Sequence, residues 1–141
     1  MSVEENIAVL RKLFDGLSRG DLSVIDECLA SNFVRHSPGW EDIGIEGYRR
    51  VREQSLNAMP SQTTVDEMLC EGDKVAFRVT HRGTQIGSMF GRPAAGTSFE
   101  VSEVYFARFK EGKVAEWWCL LDKATMDAQL SGKAQPLRKA A

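Results

Sequence analysis

The chain has 141 residues, 43% of them hydrophobic and 27% charged, with a formal net charge of −2. That is the composition of one ordinary globular domain, long enough to bury a core and still leave an internal pocket. There is no basic stripe to hold nucleic acid and no apolar run approaching a membrane span, so neither is expected as a partner.

The N-terminal stretch MSVEENIAVL is acidic and amphipathic. A secretory signal needs a basic start and a continuous apolar segment, so a cytoplasmic location is expected. Cys28, Cys70 and Cys119 are odd in number and scattered, and only His36 and His81 accompany them. Neither a disulfide framework nor a metal site follows from them.

Taken in order, Ser2 and Glu5 form a capping box, and Val3, Ile7, Leu10, Leu13, Phe14 and Leu17 recur at helical spacing. This first helix stops near Gly20. Asp21 caps a short second helix that buries Leu22, Ile25 and Leu29. A brief strand over Phe33 to His36 leads into a turn at Ser37-Pro38-Gly39-Trp40. A third helix begins near Ile45, uses Tyr48, Val51, Ser55 and Leu56, and ends before Pro60. Two strands follow, Thr63 to Cys70 and Lys74 to Arg82, around Gly72-Asp73. Residues 83–96, rich in Gly and Pro, read as a long loop or bent connection.

Phe99 to Asp122, FEVSEVYFARFKEGKVAEWWCLLD, reads as two long strands joined by Glu111-Gly112. Glycine at the second central position suits a two-residue turn with positive φ. An unbroken register then opposes Tyr105 to Trp118, Glu103 to Leu120 and Val101 to Asp122. One face would carry Tyr105, Trp118 and Leu120 with three carboxylates among them, Glu103, Glu116 and Asp122. The other would carry Phe106 and Trp117. Lys123 to Leu130 reads as a short closing helix. A single domain over residues 1–132 and a mobile tail over 133–141 complete the reading. Helices first and antiparallel strands afterwards predict an α+β domain, with helices packed on one face of a curved sheet.

These motifs, in this order, resemble the nuclear-transport-factor-2-like (cystatin-like) superfamily, and within it the SnoaL-like polyketide cyclases. The pieces are FVRHSP, GIEGYRRV, EGDKVAFRV, TQIGSMFGRPAAGTS and ARFKEGKVAEWWCLLD, closing on QLSG. The resemblance spans the first helix to about Gly132. It implies a cone-shaped half-barrel with an internal cavity, usually a homodimer paired through the sheet. Superfamily relatives include cyclases, isomerases, dehydratases and epoxide hydrolases, and also domains with no chemistry. The chain departs from the family pattern at Ser37, Gln85 and Ala95, and from that of limonene-epoxide-hydrolase-like sequences at Cys119, where they carry Asp. Asp122 matches the carboxylate that closes the last strand in many SnoaL-like sequences.

The expected function is acid/base chemistry without a cofactor on a small apolar carbonyl compound: an isomerisation, cyclisation or dehydration. A binding or dimerisation module of the same fold is the alternative. Asp122, Glu103 and His36 are the candidate catalytic residues. Two carboxylates on one apolar face predict a raised pKa for at least one of them. For Asp122 the competing reading is a helix cap; for His36 it is an edge residue bonded to backbone. His81 reads as a satisfied core histidine. Trp40, Tyr48, Tyr105, Trp118, Leu120 and Phe90 are expected to line the pocket, with Tyr48 able to donate to an oxyanion. The Phe106/Trp117 face is expected to pair two copies.

Overall fold

The computed structural model describes residues 2–134. Most of the tail expected to be mobile, from residue 135 onward, lies outside them. Four helices and six strands follow one another: α1 (Val3–Ser18), α2 (Val24–Cys28), β1 (Leu29–Ser37), β2 (Trp40–Ile43), α3 (Ile45–Ala58), β3 (Ser61–Glu71), β4 (Lys74–Thr84), β5 (Ser98–Lys110), β6 (Lys113–Leu121) and α4 (Lys123–Leu130). The strands form one curved, unclosed sheet in the order β2-β1-β6-β5-β4-β3. β1 runs parallel to β6, and every other pairing is antiparallel. This is the α+β arrangement expected, with the helices on the concave face. No helix among the described residues is long and apolar enough to cross a membrane.

Local chemistry sets the ends of these elements. The Ser2 hydroxyl accepts from the Glu5 amide at 3.1 Å and starts α1. Gly16 lets α2 pack closely, since a Cβ there would lie 2.3 Å from Val24 Cγ1. Glu111 and Gly112 have φ values of 52° and 79°, the turn that joins β5 to β6. Leu10, Leu13, Phe14 and Leu17 of α1 are buried against Phe77, Tyr105 and Trp117 of the sheet. Phe14 sits 5.7 Å from the rings of both Phe77 and Tyr105. Burying such a side chain contributes roughly 1.5–3 kcal/mol.

One detail overturns the register expected for the hairpin. Lys110 and Phe109 oppose Lys113 and Val114 as expected, but a bulge follows, and Arg108 opposes Glu116. Val114 and Ala115 together face Phe109, and both are buried. One extra residue on one strand inverts the sidedness of everything beyond it. Tyr105 therefore opposes Cys119, and Glu103 opposes Leu121. Trp117, Cys119 and Leu121 point inward, while Trp118 and Leu120 point out.

Two further differences concern β1 and β2. β1 is longer than expected, running through Ser37, and Trp40 opens a short strand rather than closing a turn. The turn between them is Pro38-Gly39, with Gly39 at φ 82°.

Candidate functional site

A cavity of about 390 Å³ lies between the sheet and α3. α3 supplies Tyr48, Val51, Arg52, Gln54 and Ser55 to it, and this overlay leaves Val51, Arg52 and Ser55 half-buried rather than packed solid. The sheet supplies Arg35, His81, Glu103, Tyr105, Trp117 and Cys119. α1 fills the neighbouring core and contributes nothing to the lining.

At its outer part stand Trp40, 53% exposed, and Phe90, with ring centroids 6.2 Å apart. Phe90 occupies the first central position of a two-residue turn between Met89 and Arg92, at φ 55°. A bulky residue at positive φ is strained there. Gln85 holds the base of this loop: it is 1% exposed and donates to the carbonyls of Gly87 and Arg92 at 3.1 and 3.0 Å.

The polar centre is a buried carboxylate–imidazole pair. Glu103 Oε1 accepts from the Tyr105 hydroxyl at 2.5 Å and lies 2.8 Å from His81 Nε2. His81 Nδ1 is 2.8 Å from the Thr63 hydroxyl. The ladder explains this meeting: Thr63 opposes His81, and Val79 opposes Glu103, so His81 and Glu103 are diagonal neighbours on the inner face. With His81 neutral, Thr63 donates to Nδ1 and Nε2–H donates to Glu103.

Burial raises the Glu103 carboxyl, but the His81 hydrogen bond, the charge His81 carries when protonated and the Tyr105 hydroxyl outweigh it. Its pKa ends below the usual carboxylate range. The expected raised pKa is thus reversed for this residue. Tyr48 behaves in the opposite sense: burial pushes its phenol up to about 12, which keeps it a proton donor. Burial likewise raises the Cys119 thiol to about 12, so no thiolate is available there.

Of the residues singled out from the sequence, Glu103, Tyr48, Tyr105, Trp40 and Phe90 line this cavity. Four others do not. Asp122 is the exposed N-cap of α4, its carboxylate accepting from the Thr125 amide at 3.1 Å. The bulge is part of the reason, since it turns Trp117, Cys119 and Leu121 inward and so takes the alternate set that includes residue 122 off the inner face. Trp118 and Leu120, 44% and 55% exposed, stand on the outer face for the same reason.

His36 also faces outward. Its ring stacks on Trp118 at 5.0 Å, with Nε2 2.6 Å from Glu116 and Nδ1 3.0 Å from Asp42. The Glu116 hydrogen bond raises the His36 pKa, and the same bond lowers that of Glu116, with Arg108 adding to the effect. Sequence reasoning missed His81, Trp117, Arg35 and Arg52 as cavity residues. The signal for His81 was its alternation with Val75, Phe77 and Val79 on a face that also holds Glu103.

Solved structures share this fold. TsrD from Streptomyces laurentii is 27% identical, with a TM-score of 0.84 over 92% of this chain and 97% of that one. IdmH from Streptomyces antibioticus, a candidate polyketide cyclase, is 29% identical, with a TM-score of 0.80 over 89% and 98%. An epoxide hydrolase from M. tuberculosis shares the fold alone: 14% identity and a TM-score of 0.74, over 92% of this chain and 91% of that one. No curated protein matches the chain. The model of the SnoaL-like polyketide cyclase family matches residues 7–130. The sequence motifs, the cavity-bearing half-barrel and this match agree, and the chain belongs to the SnoaL-like polyketide cyclase family.

Proposed function

We propose that this protein catalyses proton abstraction and return beside a carbonyl in a small, largely apolar molecule held in the cavity. The observation that carries this is Glu103, a carboxylate kept ionised on the floor of the cavity by His81 and Tyr105. Both hydrogen bonds fall on Oε1, which leaves Oε2 as the oxygen to take a substrate proton. His81 acts through Glu103 as a positioning residue. The Tyr48 hydroxyl, protonated at neutral pH, is the donor to the enolate oxygen that forms when the C–H bond breaks. Return of the proton to a different carbon is an isomerisation; attack of the enolate on a second carbonyl is a ring closure.

The depressed Glu103 pKa also makes it a weaker base, which favours a second reading: a small-molecule-binding module without turnover. One experiment separates the two. Exchange of α-protons of 2-tetralone in D₂O is followed by NMR with wild type and Glu103→Gln. The enzyme reading expects accelerated exchange that falls about 10²- to 10⁴-fold in the variant. Equal rates in both proteins refute it.

We propose further that two copies pair through the outer sheet face. Phe106, Trp118, Leu120 and Val104 are 61%, 44%, 55% and 40% exposed there, and no helix among the described residues covers them. Trp117, earlier placed on this face, is 1% exposed inside the molecule, and Trp118 takes its place.

A further inference from the structure

The cavity wall holds more positive charge than its one carboxylate balances. Arg35 from β1 and Arg52 from α3 both line it, and Glu103 is the single acid among the lining residues. Among the described residues neither arginine forms an ion pair. Arg35 makes one weak hydrogen bond, from Nη2 to the Glu41 carbonyl at 3.3 Å. The Nε atoms of both arginines are buried without a partner, and so is the indole Nε1 of Trp117, a residue only 1% exposed. Arg35 and Trp117 are direct neighbours across the β1–β6 ladder, and both guanidinium charges act on Tyr48. Glu103 is already engaged by His81 and Tyr105.

Every fully buried polar atom left without a partner in this wall is thus a donor, and two of the three belong to charged groups. A neutral carbonyl would satisfy one donor and leave the excess of positive charge in the wall unbalanced. A delocalised oxyanion matches the guanidinium fork and the net charge together. We infer that the natural occupant is an organic acid, an apolar ring system bearing a carboxylate or an acidic enol that is ionised at neutral pH, its oxygens lying against Arg35, Arg52 and Trp117. This rests on the reading that the cavity is the ligand site, and it names the class of ligand.

Isothermal titration at pH 7.5 with two matched pairs of probes tests it: 2-naphthoate against methyl 2-naphthoate, and 4-hydroxycoumarin against 4-methoxycoumarin. At least one acid should bind 10-fold or more tightly than its neutral counterpart, and which pair discriminates tells carboxylate from enolate. Arg35→Gln and Arg52→Gln should each reduce that ratio several-fold, and the double variant should abolish it. Thermal melts of the variants confirm that they fold. In a folded variant, loss of the ratio with retained ester or ether binding is a charge effect and not a damaged cavity. Equal binding of acid and neutral probe, no binding of any probe at millimolar concentration, or a preference that survives the double variant overturns the inference.

Glu103→Gln separates this from the catalytic proposal. It removes the opposing charge and should tighten acid binding while slowing proton exchange. A retained acid preference with unchanged exchange sinks the base alone. Lost exchange without any acid preference sinks the ligand class alone.

Discussion

Replacing His81 by leucine tests the carboxylate–imidazole pair directly. The pair is buried, with side chains 8% and 15% exposed. Removing the partner that hydrogen-bonds a buried carboxylate costs about 3–5 kcal/mol, because the carboxylate charge is left uncompensated. The Tyr105 hydroxyl stays on the same oxygen, so the lower end, about 3 kcal/mol at pH 7, is expected. For 141 residues the unfolding entropy is about 300 cal/mol/K, which turns that loss into a fall of ~10 °C in Tm.

The pH dependence carries the stronger test. In the wild type Glu103 has a depressed pKa, so its contribution is present above the ordinary carboxylate value and lost as pH falls through the folded one. Without His81, burial dominates and the folded pKa should rise above the ordinary value. The variant then loses stability as pH rises from about 4 towards 7, so its deficit against wild type grows over that range. Urea unfolding across this interval measures it, with the His81→Leu/Glu103→Leu double variant as the neutral control. That double variant should recover most of the loss at pH 7. A deficit independent of pH, or a double variant as weak as His81→Leu, refutes the idea that an uncompensated carboxylate is the cause.

Other expected outcomes concern the outer face and the backbone. His36 has a raised pKa, so its stabilising contribution is fully present below the ordinary histidine value and fades as pH rises through the folded one. Thermal melts should show the wild-type advantage over His36→Gln shrinking with rising pH; a constant or growing advantage contradicts the ion cluster. Trp118→Lys should shift sedimentation from dimer to monomer at micromolar concentration with the far-UV spectrum unchanged, and a wild type that sediments as a monomer removes the proposed pairing. Gly83→Ala should cost about 2 kcal/mol or more in urea unfolding, since its Cβ would lie 2.2 Å from the Pro60 carbonyl oxygen; a loss below 0.5 kcal/mol would show that the β3–β4 end yields easily.

Much of the architecture was legible because it is written locally. Helix periodicity, the Ser2 cap and the Glu111-Gly112 turn each depend on neighbours within a few residues. The faces of β6 were not legible, because nothing in KVAEWWCLL marks Ala115 as the residue left out of the ladder. That single offset exchanged Trp118 for Trp117 and moved two expected pocket residues outside. Glu103 was found because a carboxylate in mid-strand on an apolar face needs an explanation. Its partner was not, because residues 85–97 separate β4 from β5 and fix no register between them. Asp122 was equally compatible with a strand-end acid and a helix cap, and the start of α4 at Lys123 makes it the cap.

The chain contains three tryptophans, and each stands in a different environment. Trp40 is solvent-facing beside Phe90, Trp117 is enclosed in the cavity wall, and Trp118 lies on the bare outer surface against His36. Their intrinsic emission therefore divides into three optical channels supplied by the native sequence. Keeping one indole at a time and replacing the other two by phenylalanine would report loop position, cavity occupancy and self-association separately. Because residues 117 and 118 are joined by one peptide bond and point to opposite sides of the sheet, a probe entering the cavity and a second copy arriving from outside would register on adjacent fluorophores.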